Sequence, residues 1–277
     1  MREGTQPSAR GDAGSREGGS PVPAELFDLT GRTAAVIGGT GVLGSRFSRT
    51  LASAGAEVVV LGRSEERGRA VVRAIRESGG LAHFQPLDVS DAASFAASAD
   101  RLHELGGLDL LVNAPGKNGS TPFAQLHVDQ WNELIDVNLT SVFRACQSYA
   151  PLMHDRDGSA AIINVSSASS GPPLSRVLAY GVAKAGVDNL TQYLARELAP
   201  DRIRVNAIRP GFFPAEQNRA LLTDQRVSDI LGHTPMNRLG ERHELDGALL
   251  WLASHRASAF VTGAIIPVDG GFSAMTI

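Results

Sequence analysis

Short apolar segments alternate with longer amphipathic ones along most of this 277-residue chain. The short segments are apolar throughout and predict β-strands at residues 33–38, 57–62, 81–89, 108–114, 160–167, 203–210 and 264–271. In the longer segments apolar residues recur with helical spacing, which predicts helices at residues 42–54, 65–79, 91–105, 129–153, 178–199, 215–231 and 241–254.

This alternation predicts the fold class. Strands that are apolar throughout are typical of a parallel sheet covered by helices on both faces. We therefore expect an α/β protein with one doubly wound parallel sheet of about seven strands, in a single domain over residues 24–277. Ligands bind such sheets at the carboxyl ends of the strands. Residues 1–23 are rich in Gly, Ser, Pro and charge, which predicts a disordered tail.

Net charge, apolar runs and cysteine content limit the expected partners and the expected location of the protein. The formal net charge of −3 predicts binding neither to nucleic acid nor to a membrane surface. No apolar run reaches membrane-spanning length, and the first residues lack the apolar run of a secretory signal. The single cysteine, Cys146, lies in an apolar helical run, which predicts an inert buried thiol in a cytoplasmic protein.

A glycine cluster, VIGGTGVLG at residues 36–44, follows the first predicted strand and opens the first predicted helix. Glycines there let the backbone turn tightly and approach a pyrophosphate, which the helix N-terminus attracts. Gly39, Gly41 and Gly44 fit the Gly-x-Gly-x-x-Gly spacing of dinucleotide-binding loops. Gly38, Gly41 and Gly44 fit a slightly different spacing. A glycine-rich β-turn is the alternative. The absence of a following Gly-Lys-Ser/Thr argues against a phosphate-loop NTPase.

The end of the second predicted strand bears on the choice between NAD and NADP. A carboxylate usually binds the ribose 2′-hydroxyl of NAD there, whereas this chain has Gly62, Arg63 and Ser64. A guanidinium and a hydroxyl suit a 2′-phosphate, so we expect NADP(H) to be favoured and NAD(H) to be possible, unless Arg63 is a solvated loop residue. Asp88 and Val89 are placed to border the adenine ring, although Asp88 equally suits a cap of the next helix.

Four polar residues predict proton-transfer chemistry. Tyr180 and Lys184 lie four positions apart in a predicted helix, so their side chains share one face. Ser167 ends the fifth predicted strand, and Asn138 lies in the preceding helix. A tyrosine hydroxyl can exchange a proton with an alcohol or a carbonyl, and a neighbouring ammonium lowers its pKa from about 10. Lys184 is one of only two lysines among 26 basic residues.

Taken in order, these segments resemble the classical short-chain dehydrogenase/reductase (SDR) family over about residues 28–277. The matching segments are IGGTGVLG, LDV, LVNAPG, DVNLTSVF, RVNAIRPGFF and VTGAIIPVDGGF. The resemblance implies that Tyr180 is the catalytic acid/base and that Lys184 binds the nicotinamide ribose. It also implies that Ser167 orients the substrate and that Asn138 supports a proton relay. The Rossmann-fold cofactor contacts that it implies include Gly38, Thr40, Gly41, Val42, Leu43, Asn113, Ala114, Gly116, Pro210, Gly211 and Phe213.

The chain departs from the family pattern in four places. Ile37 stands where a threonine is usual, Val42 where the second glycine is usual, and Pro115 within the usual Asn-Asn-Ala-Gly segment. A threonine often found after the Pro-Gly of the sixth strand is absent, and Pro214 and Ala215 occupy that stretch. These departures bear on the geometry of the pyrophosphate loop and on the cofactor choice.

The segments GFFPAEQNRALLTDQ and GHTPMNRLGERHELDGALLWLAS resemble the SDR subgroup that oxidises D-mannonate and reduces D-fructuronate. A sugar acid needs a cation for its carboxylate and polar groups for its hydroxyls. We expect a substrate lid around residues 212–238, ending near His233. The expected substrate contacts, each of which could instead be a solvated loop residue, are Lys117, Asn118, Ser167, Arg176, Gln217, Asn218 and Arg219.

Other functions fit the same residues. One alternative is a reductase of a cyclitol, a keto-sugar or a natural-product ketone. Another is a nucleotide-sensing protein without catalysis, although such proteins typically lose the tyrosine or the lysine, and both are present here. The scattered histidines predict no metal site. The resemblance implies a homo-oligomer, a tetramer or dimer, with interfaces at the helices around Asn138 and Tyr180 and at the end strand with the Trp251 helix.

Overall fold

Seven parallel strands form a single sheet in the computed structural model, which describes residues 23–154, 156, 158, 160–214 and 223–275. The strands are β1 (Thr33–Ile37), β2 (Glu57–Gly62), β3 (Ala82–Pro86), β4 (Leu110–Asn113), β5 (Ala160–Val165), β6 (Ile203–Pro210) and β7 (Ile265–Val268). Their order across the sheet is β3-β2-β1-β4-β5-β6-β7, and all neighbours are parallel. The predicted doubly wound parallel sheet is confirmed. The predicted tail falls outside the described residues up to residue 22, and Pro23 begins a 3₁₀ turn.

Helices cover both faces of this sheet. Alternate residues of β1 point to opposite sides: Ala34 and Val36 belong to one apolar cluster, and Ala35 and Ile37 belong to the other. Helices α1, α2 and α8 pack on the first face, and α3, α5 and α6 pack on the second. The helices are α1 (Val42–Ser53), α2 (Glu65–Glu77), α3 (Ala92–Glu104), α4 (Val128–Ile135), α5 (Ser141–Tyr149), α6 (Leu178–Glu197), α7 (Asp224–Gly232), α8 (Asp246–Ala253) and α9 (His255–Ser258).

The helix predicted at residues 129–153 is not one regular α-helix. A π-helical turn, Asp136–Thr140, joins α4 to α5, and a 3₁₀ turn, Ala150–Met153, follows α5. One wider turn hardly changes the spacing of apolar residues, so periodicity could not reveal it.

Of two further helix predictions, one is described only in part and the other differs at its start. The described part of the helix predicted at 215–231 is α7, and residues 215–222 lie outside the described residues. The helix predicted at 241–254 begins as a 3₁₀ turn, Arg242–Leu245, before α8.

The strand order predicts a cleft between the loops that follow β1 and β4. β1 pairs with β2 on one side and with β4 on the other, so the chain turns to opposite edges of the sheet from this point. The loops after β1 and β4 therefore separate at their carboxyl ends. Doubly wound sheets bind ligands in this crevice.

A buried carboxylate ties the starts of β1 and β4 together. Asp109 accepts hydrogen bonds from Arg32 Nη1 at 2.9 Å, from the Thr33 amide at 2.9 Å and from Arg156 Nη2 at 2.8 Å. Burial acts to raise the pKa of Asp109, but these hydrogen bonds outweigh it and hold the pKa below its ordinary value. The carboxylate therefore stabilises the fold above the unfolded-state pKa of about 3.9, and this contribution is lost as the pH falls through the lower folded-state pKa.

We expect Asp109→Asn to lower the free energy of unfolding at pH 7 by about 3 kcal/mol, because two guanidinium groups lose their anion. Urea denaturation at pH 7 and at pH 3 measures this, and the difference from the wild type should shrink at the lower pH. Asp100→Asn, an exposed residue of α3, is the matched control. An equal loss of stability in both variants would contradict the assigned role of Asp109.

Candidate active site

The glycine cluster forms a tight turn between β1 and α1. Gly38 has a φ of +71°, and a Cβ there would lie 2.5 Å from the Ala114 carbonyl oxygen, so only glycine fits. A Cβ on Gly44 would lie 2.7 Å from the Gly38 carbonyl carbon, because α1 packs directly on the turn. Gly41 is the N-cap of α1 and has no side chain to occupy the first helical amides. These amides are suited to bind an anion.

A cavity of about 690 Å³ runs along the carboxyl ends of the strands from this turn. Most of the predicted cofactor residues line it: Gly38, Thr40, Gly41, Val42, Leu43, Gly62, Arg63, Val89, Ala114, Gly116, Tyr180, Lys184, Pro210, Gly211 and Phe213. Ser64, Asp88 and Asn113 are predicted contacts that do not line it. The lining of this cavity thus combines glycines with a few side chains.

The end of β2 has no space for a carboxylate at position 62. A Cβ on Gly62 would lie 2.6 Å from Thr40 Oγ1, so a longer side chain there would displace Thr40. Arg63 follows and is exposed on the cavity rim. Ser64 lies behind it as the N-cap of α2, where its hydroxyl accepts a hydrogen bond from the Arg67 amide at 3.3 Å. This accepted bond leaves the hydroxyl hydrogen for another partner.

Asp88 makes a local turn and does not cap α3. Its Oδ1 accepts a hydrogen bond from the Ser90 amide at 3.0 Å, as in an Asx-turn. The N-cap of α3 is Asp91, which accepts from the Ala93 amide at 2.9 Å. The alternative that Asp88 caps this helix is therefore wrong, because the helix begins beyond it.

Asn113 is fully buried beneath the cavity. Its Nδ2 donates to Asn164 Oδ1 at 2.9 Å and lies 3.4 Å from the Cys146 sulfur, so the side chain joins β4 to β5. Burial raises the pKa of the Cys146 thiol to about 12, which makes it a poor nucleophile near neutral pH. The prediction of an inert buried thiol agrees with this environment.

Tyr180, Lys184 and Ser167 line the same cavity, and the side chains of Tyr180 and Ser167 are hydrogen-bonded. Lys184 Nζ donates to the Val165 carbonyl at 2.8 Å and, more weakly, to the Pro115 carbonyl at 3.5 Å. The same nitrogen lies 5.8 Å from the centroid of the Tyr180 ring. Main-chain groups after β4 and at the end of β5 therefore fix an ammonium beside a phenol.

Burial dominates the titration of both groups. It raises the pKa of Tyr180, and a hydrogen bond with the Ser167 hydroxyl offsets only part of the rise. The lowering of the Tyr180 pKa expected from Lys184 together with a positive nicotinamide ring concerns the cofactor-bound protein and stays a prediction. Burial also lowers the pKa of Lys184 to about 8, against the opposing charge of Asp188. Near neutral pH the phenol thus holds its proton beside an ammonium that is still mostly charged.

Asn138 lies in the π-helical turn, a common feature of functional sites. Its Nδ2 donates to the Lys117 and Leu134 carbonyls, both at 2.9 Å, and its Oδ1 accepts from the Lys117 amide at 3.2 Å. The side chain is completely buried and does not line the cavity. Asn138 therefore connects the wide turn to the loop after β4.

The predicted substrate residues fall into three groups. Lys117, Asn118 and Ser167 line the cavity, and the Lys117 ammonium forms an ion pair with Glu133. Arg176 lies outside the cavity lining, exposed and with a φ of +68°. The remaining three lie outside the described residues: Gln217, Asn218 and Arg219.

The predicted lid is described in part. Phe212 and Phe213 line the cavity, and His233 stacks edge-on against Phe272 with ring centroids 4.7 Å apart, away from the cavity. Arg226 of α7 also lines the cavity, and it is not among the lid residues expected to contact the substrate, Gln217, Asn218 and Arg219. Helical spacing alone does not show which side of a short exposed helix faces a cleft, so only the three-dimensional packing reveals this arginine.

Two features are absent from the described part of the chain. No helix there is long and apolar enough to cross a membrane. The same residues contain no cluster of three or more His, Cys, Asp or Glu side chains arranged to hold a metal ion.

Comparisons with known proteins relate this geometry to a family. A family model described as enoyl-(acyl carrier protein) reductase matches residues 41–273. An uncharacterised oxidoreductase of Bacillus subtilis, UxuB, is 40% identical over 271 residues, covering 89% of this chain and 96% of that protein.

Two solved structures share the fold. A gluconate 5-dehydrogenase from Burkholderia cenocepacia, in complex with NADP and tartrate, is 34% identical with a TM-score of 0.87, covering 91% of this chain and 99% of that one. A structure described as a proposed D-mannonate oxidoreductase from Haemophilus influenza, with bound NAD, is 34% identical with a TM-score of 0.86 over the same shares. With its nucleotide cradle and its Ser167–Tyr180–Lys184 cluster, the chain belongs to the short-chain dehydrogenase/reductase family and is an oxidoreductase.

Proposed function

We propose that this protein interconverts the secondary alcohol and the ketone of a sugar acid, such as D-mannonate and D-fructuronate, with NADP(H) preferred over NAD(H). The observation that carries the proposal is that Tyr180, Lys184 and Ser167 line the same cavity as the glycine turn. Relatives named for gluconate and D-mannonate support the substrate class.

The residues present fit a nicotinamide dinucleotide. The first residues of α1 line the cavity and provide amides for a pyrophosphate, while Gly38 keeps the space beside them free of side chains. Lys184 would hold the nicotinamide ribose, and Pro210, Gly211 and Phe213 would border the ring. When bound, the cofactor supplies or accepts the hydride.

Tyr180 is the proposed catalytic acid/base. In ketone reduction its Oη gives a proton to the developing alkoxide, and in alcohol oxidation it receives the proton of the hydroxyl. The protonated phenol suits the first direction, because burial raises the Tyr180 pKa. In the second direction the Lys184 ammonium would stabilise the phenolate. Ser167 would orient the substrate oxygen.

Asn138 would support the proton relay by holding neighbouring main-chain segments in position. Its side-chain donors and acceptor are engaged with the Lys117 and Leu134 main chain. We therefore assign Asn138 the task of holding the π-helical turn and the Lys117 loop in place. A relay water would bind to other groups in this region.

Arg63 would bind the 2′-phosphate of NADP. We expect Arg63→Ala to weaken NADPH binding about 10-fold or more, because a charge-assisted bond is lost, and to leave NADH binding unchanged. Fluorescence titration with both cofactors measures this. Arg69→Ala is the control, since Arg69 is exposed on α2 and paired with Glu65. Wild-type protein that binds NADH at least as tightly as NADPH would show that Arg63 has no such role.

A substrate screen tests the proposed function directly. With the preferred cofactor, D-mannonate and D-fructuronate should react with higher kcat/KM than neutral polyols and ketones of similar size. A preference for cyclitols, neutral keto-sugars or natural-product ketones would replace the sugar-acid proposal with the reductase alternative. Cofactor binding without turnover of any alcohol or carbonyl would favour a nucleotide-sensing protein.

The protein is also proposed to form a homo-oligomer, a tetramer or a dimer. Large apolar side chains are exposed near the helices expected at the interfaces, including Phe143 of α5, Val182 and Tyr193 of α6, and Phe260. Burial of such side chains is a common reason for association. Light scattering gives the number of subunits.

A further inference from the structure

Arg226 is one of three arginines that line the cavity and have no acidic partner among the described residues; unlike Arg63 and Arg67, it reaches the loop before Tyr180. Arg226 lies in the first turn of α7 and lines the cavity together with Tyr180. Its guanidinium donates to the hydroxyl and to the carbonyl of Ser175 at 3.3 and 3.4 Å, which are long bonds to neutral acceptors. Among the described residues it forms no ion pair.

The described acids that line the same cavity are already neutralised. Glu133 pairs with Lys117, and Asp136 pairs with Arg144 at 3.0 Å. A negatively charged ligand would therefore meet an unopposed positive charge at Arg226, whereas the Lys117 charge is already compensated.

Arg226 also has a suitable location relative to the reacting groups. Ser175 lies in the loop that leads from Ser167 to Tyr180, so the guanidinium reaches the segment joining two proposed catalytic residues. The same loop is held from another side by the Thr121 amide, which donates to the Arg176 carbonyl at 3.0 Å. A carboxylate could replace the two long bonds to Ser175 with a pair of charge-assisted bonds to the planar guanidinium.

We infer that Arg226 binds the carboxylate of the substrate and gives the enzyme its preference for sugar acids over neutral polyols. This inference rests on the proposed function, since it requires a substrate with a carboxylate at some distance from the reacting carbon. It assigns the anion-binding role to α7 and replaces Lys117 in that role.

Arg226→Gln tests the inference, because the amide can still donate to Ser175 while the charge is lost. Protein loaded with NADPH cannot oxidise D-mannonate or D-mannitol, so calorimetry measures the affinity for each without turnover. We expect the variant to bind D-mannonate about 10- to 100-fold more weakly and D-mannitol equally well. In turnover with NADP⁺, KM for D-mannonate should rise with little change in kcat.

Two further variants complete the experiment. Arg196→Gln, at an exposed position of α6, controls for loss of one positive charge, and Lys117→Gln tests the competing cation. An Arg226→Gln protein that keeps the wild-type preference for D-mannonate overturns the inference and leaves the proposed function standing. If Lys117→Gln loses the preference for D-mannonate and Arg226→Gln keeps it, the inference is likewise overturned and the proposed function stands. Wild-type protein that binds D-mannitol as well as D-mannonate overturns the sugar-acid function together with the inference.

Discussion

Replacement of Tyr180 by phenylalanine is expected to lower kcat by about 100- to 10,000-fold, which is the usual contribution of a general acid/base. The ring remains in place, so the cavity keeps its shape and Lys184 keeps its bond to the Val165 carbonyl. Only the hydroxyl that we propose as the proton donor and acceptor is lost. Steady-state kinetics with the best substrate measures the loss, and titration with NADPH should give the wild-type affinity.

Tyr193→Phe is the matched control for this prediction. Tyr193 lies on the same helix, α6, with 60% of its surface exposed, so loss of its hydroxyl should affect neither kcat nor cofactor binding. Full activity in Tyr180→Phe would overturn the proposed mechanism. A fall in NADPH affinity that matches the fall in kcat would show instead that Tyr180 acts mainly by holding the cofactor.

Gly44→Ala is expected to disrupt the nucleotide cradle. The added methyl group would lie 2.7 Å from the Gly38 carbonyl carbon and 2.9 Å from Gly39 Cα, and both are backbone atoms that cannot rotate away. Either α1 must move off the turn or the turn must open. We expect NADPH to bind at least about 10-fold more weakly and the free energy of unfolding to fall by about 1–3 kcal/mol.

Gly247→Ala separates this local effect from a general effect of replacing glycine. Gly247 lies in the first turn of α8, is exposed, and has no atom within 4 Å of an added Cβ. Its replacement should leave NADPH binding unchanged and stability unchanged or slightly increased, since alanine favours helices. Normal NADPH affinity in Gly44→Ala would mean that the helix does not need its close approach to Gly38.

Much of the fold could be predicted because its signals are local. An apolar strand followed by an amphipathic helix indicates a parallel sheet wherever it recurs, and the two periodicities depend only on neighbouring residues. The glycine spacing at residues 36–44 and the four-residue spacing of Tyr180 and Lys184 are equally local. These patterns were sufficient for the fold, the cleft edge and the family resemblance.

Other features depend on contacts between distant segments. The π-helical turn at Asn138 is completed by the Lys117 loop, and the cap of α3 is decided by where that helix packs. The titration of Tyr180 and Lys184 follows from burial, which spacing does not reveal.

The sequence by itself thus determined the sheet, the glycine turn and the residue types needed for proton transfer. Each of these depends on the spacing of residues that are close together in the chain. Only the tertiary structure decided which charges face the cavity unpaired. Lys117 is neutralised by Glu133 from α4, whereas in the described part of the chain Arg226 contacts the neutral Ser175 and no acid. The charge that a substrate meets depends on distances between segments remote in the chain, and folding alone sets those distances.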